Sequence, residues 1–119
     1  MTIVEACESK TNTTPEFPMG WYSVERSHQL AIGEVKAIKA FDRELVLYRT
    51  RSGNTALQDA FCPHLGAHLG HEGRVVGETV RCPFHGWQFN ADDGRCSHIP
   101  YCDEIPERAR VRTWHTEEK

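Results

Sequence analysis

The residues that could do chemistry fall into two short clusters, Cys62-Pro-His64 and, after 17 intervening residues, Cys82-Pro-Phe-His85. Together they offer two thiolates and two imidazoles, one of each on either segment. Each segment ends in glycine (Cys62-Pro-His-Leu-Gly66 and Cys82-Pro-Phe-His-Gly86), so the backbone can turn tightly around an inorganic centre. A pair of irons needs this division when one iron takes sulfur ligands and the other takes nitrogen. Two cysteines and two histidines also suit a tetrahedral structural zinc. Zinc modules usually pair like with like, however, with C-x-x-C on one knuckle and the histidines on the other.

The elements that must carry the two loops are short and β-like. Trp21–Glu25, Glu34–Lys39 and Glu44–Arg49 read as strands, with turns at Phe41–Arg43 and Arg51–Asn54. Thr55–Ala60 leads into the first loop. Gly73–Gly77 and Thr79–Arg81 form a hairpin leading to the second, Trp87–Asn90 follows as a strand, and Asp92-Asp-Gly94 closes it with a turn. Ala109–Trp114 reads as the final strand. Helical periodicity is confined to a turn near Ser27–Ile32, and the only internal repeat is the pair of loops. Residues 1–16 are polar and without periodicity, and are expected to form a flexible N-terminal arm ahead of one domain spanning 17–119.

A chain of 119 residues can bury one modest core. Its formal charge of −3, with no run of Lys or Arg, argues against nucleic-acid binding. No apolar stretch approaches the 18 residues of a membrane span, and Met1–Ala6 lacks the basic and apolar regions of a secretion signal. The expectation is a cytoplasmic protein. Five cysteines leave Cys7, Cys96 and Cys102 beside the two loop cysteines; Cys96 and Cys102 could pair in principle, but free, partly buried thiols in a reducing compartment are expected. His68 and His71 stand near the first loop without completing another set, so hydrogen-bonding or surface roles are expected, and His28, His98 and His115 are expected on the surface. Asp92 and Asp93 before Gly94 are ordinary turn residues.

The C-x-H and C-x-x-H pair, with Cys62–Gly70 and Cys82–Trp87 around it, resembles the Rieske family from about Phe17 to Trp114. The resemblance implies a Rieske-type antiparallel β-sandwich, all β, with a small cluster-binding subdomain. It implies a Rieske-type 2Fe–2S cluster, with Cys62 and Cys82 on one iron and His64 and His85 on the other. Rieske proteins of the cytochrome bc type carry an extra cysteine on each loop and a serine after the second histidine; here those positions are Ala67, Phe84 and Trp87. Without that disulfide and hydroxyl, the expected potential lies at the low end of a range of about −150 to +300 mV.

Two functions fit such a cluster. The segments Cys82–Trp87, Gly94–Pro100 and Ala109–Trp114 resemble Rieske non-haem iron oxygenases, especially those acting on steroids, which makes the chain an electron-entry domain for aromatic or steroid hydroxylation. The alternative is a free-standing Rieske ferredoxin. Either way the resemblance implies a flavin-containing reductase as donor and a non-haem iron oxygenase domain or subunit as acceptor. The oxygenase's mononuclear iron needs two histidines and a carboxylate, to which no residue here is assigned.

Overall fold

The computed structural model describes residues 3–7, 22–40, 42–63 and 66–118. Among the described residues the strands, in chain order, are β1 (Ile3–Cys7), β2 (Tyr22–Arg26), β3 (Val35–Ala40), β4 (Arg43–Arg49), β5 (Thr55–Asp59), β6 (Arg74–Val76), β7 (Thr79–Arg81), β8 (Gln88–Asn90), β9 (Cys96–His98) and β10 (Thr113–Glu118), with a 3₁₀ turn at Ser27–Gln29. They form two antiparallel sheets, ordered β2-β1-β10-β5-β4-β3 and β6-β7-β8-β9. The all-β architecture expected from the sequence is therefore present, the smaller sheet carrying the second loop.

The centre of the large sheet follows from alternation along β4. Leu45 and Leu47 face one core with Leu30, Leu57 and Trp114, while Val46 and Tyr48 face the other. All four are fully buried, and burying each such side chain contributes about 1.5–3 kcal/mol. Charged residues at both ends, Arg43-Glu44 and Arg49, stop the apolar run. The second core is the one that matters for the loops: it joins Val46, Tyr48 and Ala56 to Val75, Val80 and Phe89 of the small sheet and to both loop cysteines.

A buried polar chain couples the sheets through this core. The Tyr48 hydroxyl donates to Gln58 Oε1 at 3.0 Å, and Gln58 Nε2 donates to the Asn90 carbonyl at 2.7 Å. Burial holds the Tyr48 phenol far above its ordinary range, so it stays a neutral donor.

Arg49 fastens the periphery. Its Nε donates to the Leu30 carbonyl at 2.7 Å and its Nη1 to Gly53 at 2.7 Å, while Nη2 meets Glu118 at 2.5 Å. That hydrogen bond holds the Glu118 carboxyl below its ordinary value, so the ion pair stabilises the fold above the usual carboxylate range and is lost as pH falls through it. Arg49→Met strips donors from three segments together and is expected to cost about 3 kcal/mol. Glu118→Gln is expected to cost about 1 kcal/mol or less, because that end of the pair is partly exposed. Urea melts of the two variants check the ranking.

Three local expectations change. Ile3–Cys7, read as part of a flexible arm, is a strand pairing with β2 on one side and, on the other, with β10 from the far end of the chain; no pattern within the strand announces that second partner. Trp21, residues 8–16 of the arm and the turn residue Phe41 lie outside the described residues. The final strand starts at Thr113 rather than Ala109. Residues 109–112 cross between the sheets instead, with Cys96 N–H donating to Ala109, Val111 N–H to Gly94 and Asp59 N–H to Arg112. Cys96–His98 adds β9, an edge strand whose register with β8 is broken between Gln88 and Phe89.

Candidate metal centre

The two loops are built alike. In the first, Cys62 N–H donates to the Ala67 carbonyl at 2.8 Å and Gly66 N–H returns to the Cys62 carbonyl at 2.8 Å. In the second, Cys82 N–H donates to Trp87 at 2.8 Å and Gly86 N–H to Cys82 at 3.2 Å. The glycine at the same place in each has a positive φ, 78° at Gly66 and 77° at Gly86, a conformation that side chains resist. Each loop closes a pair of antiparallel neighbours, the Phe61–His68 bridge in one case and β7–β8 in the other. Pro63 of the first loop and Trp87 of the second line one groove, which places the loops side by side.

Among the described loop residues, the two thiols and the one described imidazole lie at different depths. Cys62 is 2% and Cys82 3% exposed, both within one core cluster. His85 is exposed, as is its neighbour Phe84. His64 lies outside the described residues. Among the described residues, no three His, Cys, Asp or Glu side chains gather around one ion position. A structural zinc needs four ligands around one ion, whereas a binuclear centre gives two to each iron.

The second loop is buttressed from outside. Trp87 lies in the core and its Nε1–H donates to the Tyr101 hydroxyl at 2.8 Å. The Tyr101 ring stands nearly perpendicular to the His85 imidazole, centroids 6.5 Å apart. Tyr101 was not singled out from the sequence; nothing local ties it to Trp87, 14 residues back.

The remaining histidines fall where expected. His28, His98 and His115 are exposed. His68 Nδ1 accepts from Gly70 N–H at 2.9 Å, and its ring stacks at a tilt on His71, 4.2 Å between centroids. Burial first, and the His71 charge second, hold the His68 pKa below its ordinary value, with Glu44 opposing. An unfolded chain therefore takes up this proton more readily than the fold does. Stability is expected to fall as pH drops below about 6.5 and to level off once the folded pKa is passed. His68→Gln should flatten that slope in pH-dependent thermal melts. Cys96 and Cys102 are not bonded to each other; burial raises the Cys96 thiol pKa, and the exposed Cys102 Sγ faces the Glu104 carbonyl at 3.1 Å.

Comparison with known proteins decides the family. Residues 20–114 match the model of the Rieske 2Fe-2S domain. The chain belongs to the Rieske family. Its cofactor is accordingly a Rieske-type 2Fe–2S cluster. The chain is 42% identical to a cholesterol 7-desaturase of Xenopus laevis over 93% of its own length and 24% of the relative's. It is 37% identical to the oxygenase component of a 3-ketosteroid-9-alpha-monooxygenase of Rhodococcus rhodochrous, over 87% of the chain and 26% of the relative. Among solved structures, dicamba monooxygenase with non-heme iron and dicamba shares 31% identity at a TM-score of 0.67, covering 79% of this chain and 28% of that one. The Rieske chain thus spans about a quarter of the length of the curated relatives it matches. Among its described residues, no helix is long and apolar enough to cross a membrane.

Proposed function

We propose that Cys62 and Cys82 hold the inner iron of the cluster, that His64 and His85 hold the outer one, and that the domain is the electron-entry unit of a Rieske non-haem iron oxygenase acting on steroid-like substrates. The observation that carries this reading is the difference in depth: both thiols are buried on matched loops while His85 is exposed. When bound, the cluster supplies a one-electron store. The residues supply its setting. Val75, Val80, Phe89 and Trp87 keep water from the sulfur side, and His85 presents the nitrogen side to solvent beside Phe84. A flavin-containing reductase is the donor in this reading, and a non-haem iron centre in another domain or subunit is the acceptor. The sterol and steroid names of the relatives support the substrate class.

Anaerobic titration of the purified protein tests the reading. Uptake of one electron per chain from a flavin-containing reductase, returned to a ferric acceptor, is the expected result; a protein that takes up none contradicts it. The free-standing ferredoxin is separated by the intact mass of the polypeptide in its own cells. A mass near 13.6 kDa supports the ferredoxin, and one several times larger supports the oxygenase.

A further inference from the structure

The turn Ile99–Cys102 is docked on the second loop at two points. It is closed by Cys102 N–H donating to the Ile99 carbonyl at 3.2 Å, and it is anchored by Ile99, which is 4% exposed. Pro100 occupies the space over Gly86, where an added Cβ would lie 3.0 Å from the Pro100 Cγ. Tyr101 reaches past it, accepting the Trp87 Nε1–H at 2.8 Å and presenting its ring edge-on to His85. The same Trp87 accepts the Cys82 N–H through its carbonyl. One core residue therefore closes the loop at its base and grips the tyrosine that meets the histidine at its tip.

We propose that Tyr101 is a positioning residue that fixes the plane of the His85 imidazole. The inference rests on the reading above that His85 is an iron ligand. His85 is exposed and sits between an exposed Phe84 and a glycine, so the core does not enclose its ring. A neighbouring ring held at a set angle restricts its rotation. Tyr101 is itself 61% exposed and not part of either core, so it buries too little apolar surface for packing to explain its anchoring. Its hydroxyl is held by an indole donor whose own position is set by the core. The angle at which His85 meets the outer iron depends on that grip, and ligand orientation of this kind tunes a metal centre.

The test uses the cluster-loaded protein with Tyr101→Phe and Tyr101→Ala. Tyr101→Phe keeps the ring and removes only the hydrogen bond; Tyr101→Ala removes both. Both variants are expected to melt within a few degrees of wild type, since an exposed side chain carries little stability. The nitrogen couplings of the ligating histidines, read by pulsed EPR on the reduced protein, are expected to shift and broaden in Tyr101→Phe, and more in Tyr101→Ala. The half-life of the cluster in a chelator is expected to shorten about fivefold in Tyr101→Phe, the factor that one net hydrogen bond supplies. In a Trp87→Phe background, adding Tyr101→Phe is expected to change nothing more, because the bond is already gone. Wild-type couplings and half-life in both tyrosine variants overturn the positioning role and leave the ligand assignment intact. A wild-type protein with no Rieske signal overturns the ligand assignment, and the inference with it.

Discussion

Replacing His85 by alanine is expected to abolish the Rieske spectrum and leave the β-sandwich folded. The side chain is exposed and outside both cores, so its removal costs the fold about 0.5 kcal/mol or less. For the cluster the consequence is of another order. In the proposed ligand set the outer iron would keep a single protein nitrogen. Iron and acid-labile sulfide are expected to fall to near background while the circular dichroism of the sheets is unchanged. His64→Ala is expected to do the same. Cys82→Ala gives the same spectral loss with a further stability cost, since Cys82 is buried in the core. A normal Rieske spectrum in purified His85→Ala protein sinks the assignment of this residue.

The largest loss of stability is expected from Gly94→Ala, far smaller in chemical terms. Gly94 has φ +74°, and a Cβ there would lie 2.1 Å from the Val111 carbonyl oxygen and 2.3 Å from Thr113 Oγ1. Those neighbours cannot retreat freely. Val111 N–H donates to the Gly94 carbonyl at 2.9 Å, and Thr113 is buried at the start of β10. The left-handed backbone costs an L residue about 1–2 kcal/mol, and overpacking at a closed site adds about 1–3 kcal/mol. The total, about 4 kcal/mol, is a large share of what a domain this size possesses and lowers Tm by about 15–30 °C. Gly77→Ala is the control: its φ is +59° but nothing lies within 4 Å of the added Cβ, so only the backbone part should appear. Equal losses at the two sites in thermal melts contradict the close approach.

What was legible in the sequence divides along physical lines. The ligand candidates were legible because they are local, two residue pairs whose types and spacing carry the chemistry within six residues each. Strands such as β4 were legible because Leu45–Tyr48 are apolar on both sides and bounded by charge. β1 was not, since no pattern within the strand announces its partner β10 at the far end of the chain. The stretch Ala109–Arg112 has strand-like composition, but its hydrogen bonds go to Gly94, Cys96 and Asp59 in both sheets, which makes it a crossing rather than a ladder. Tyr101 was invisible for the same reason as β1. Its meaning lies in Trp87 and His85, contacts that only the folded turn creates.

The central claim is that the paired loops hold a mixed-ligand iron pair that moves single electrons. Iron, zinc and acid-labile sulfide analysis of the purified protein, with EPR after one-electron reduction, tests it most directly. The account predicts two irons and two sulfides per chain, with the Rieske signal appearing on reduction and vanishing on reoxidation. A colourless protein carrying one zinc and no labile sulfide would contradict it.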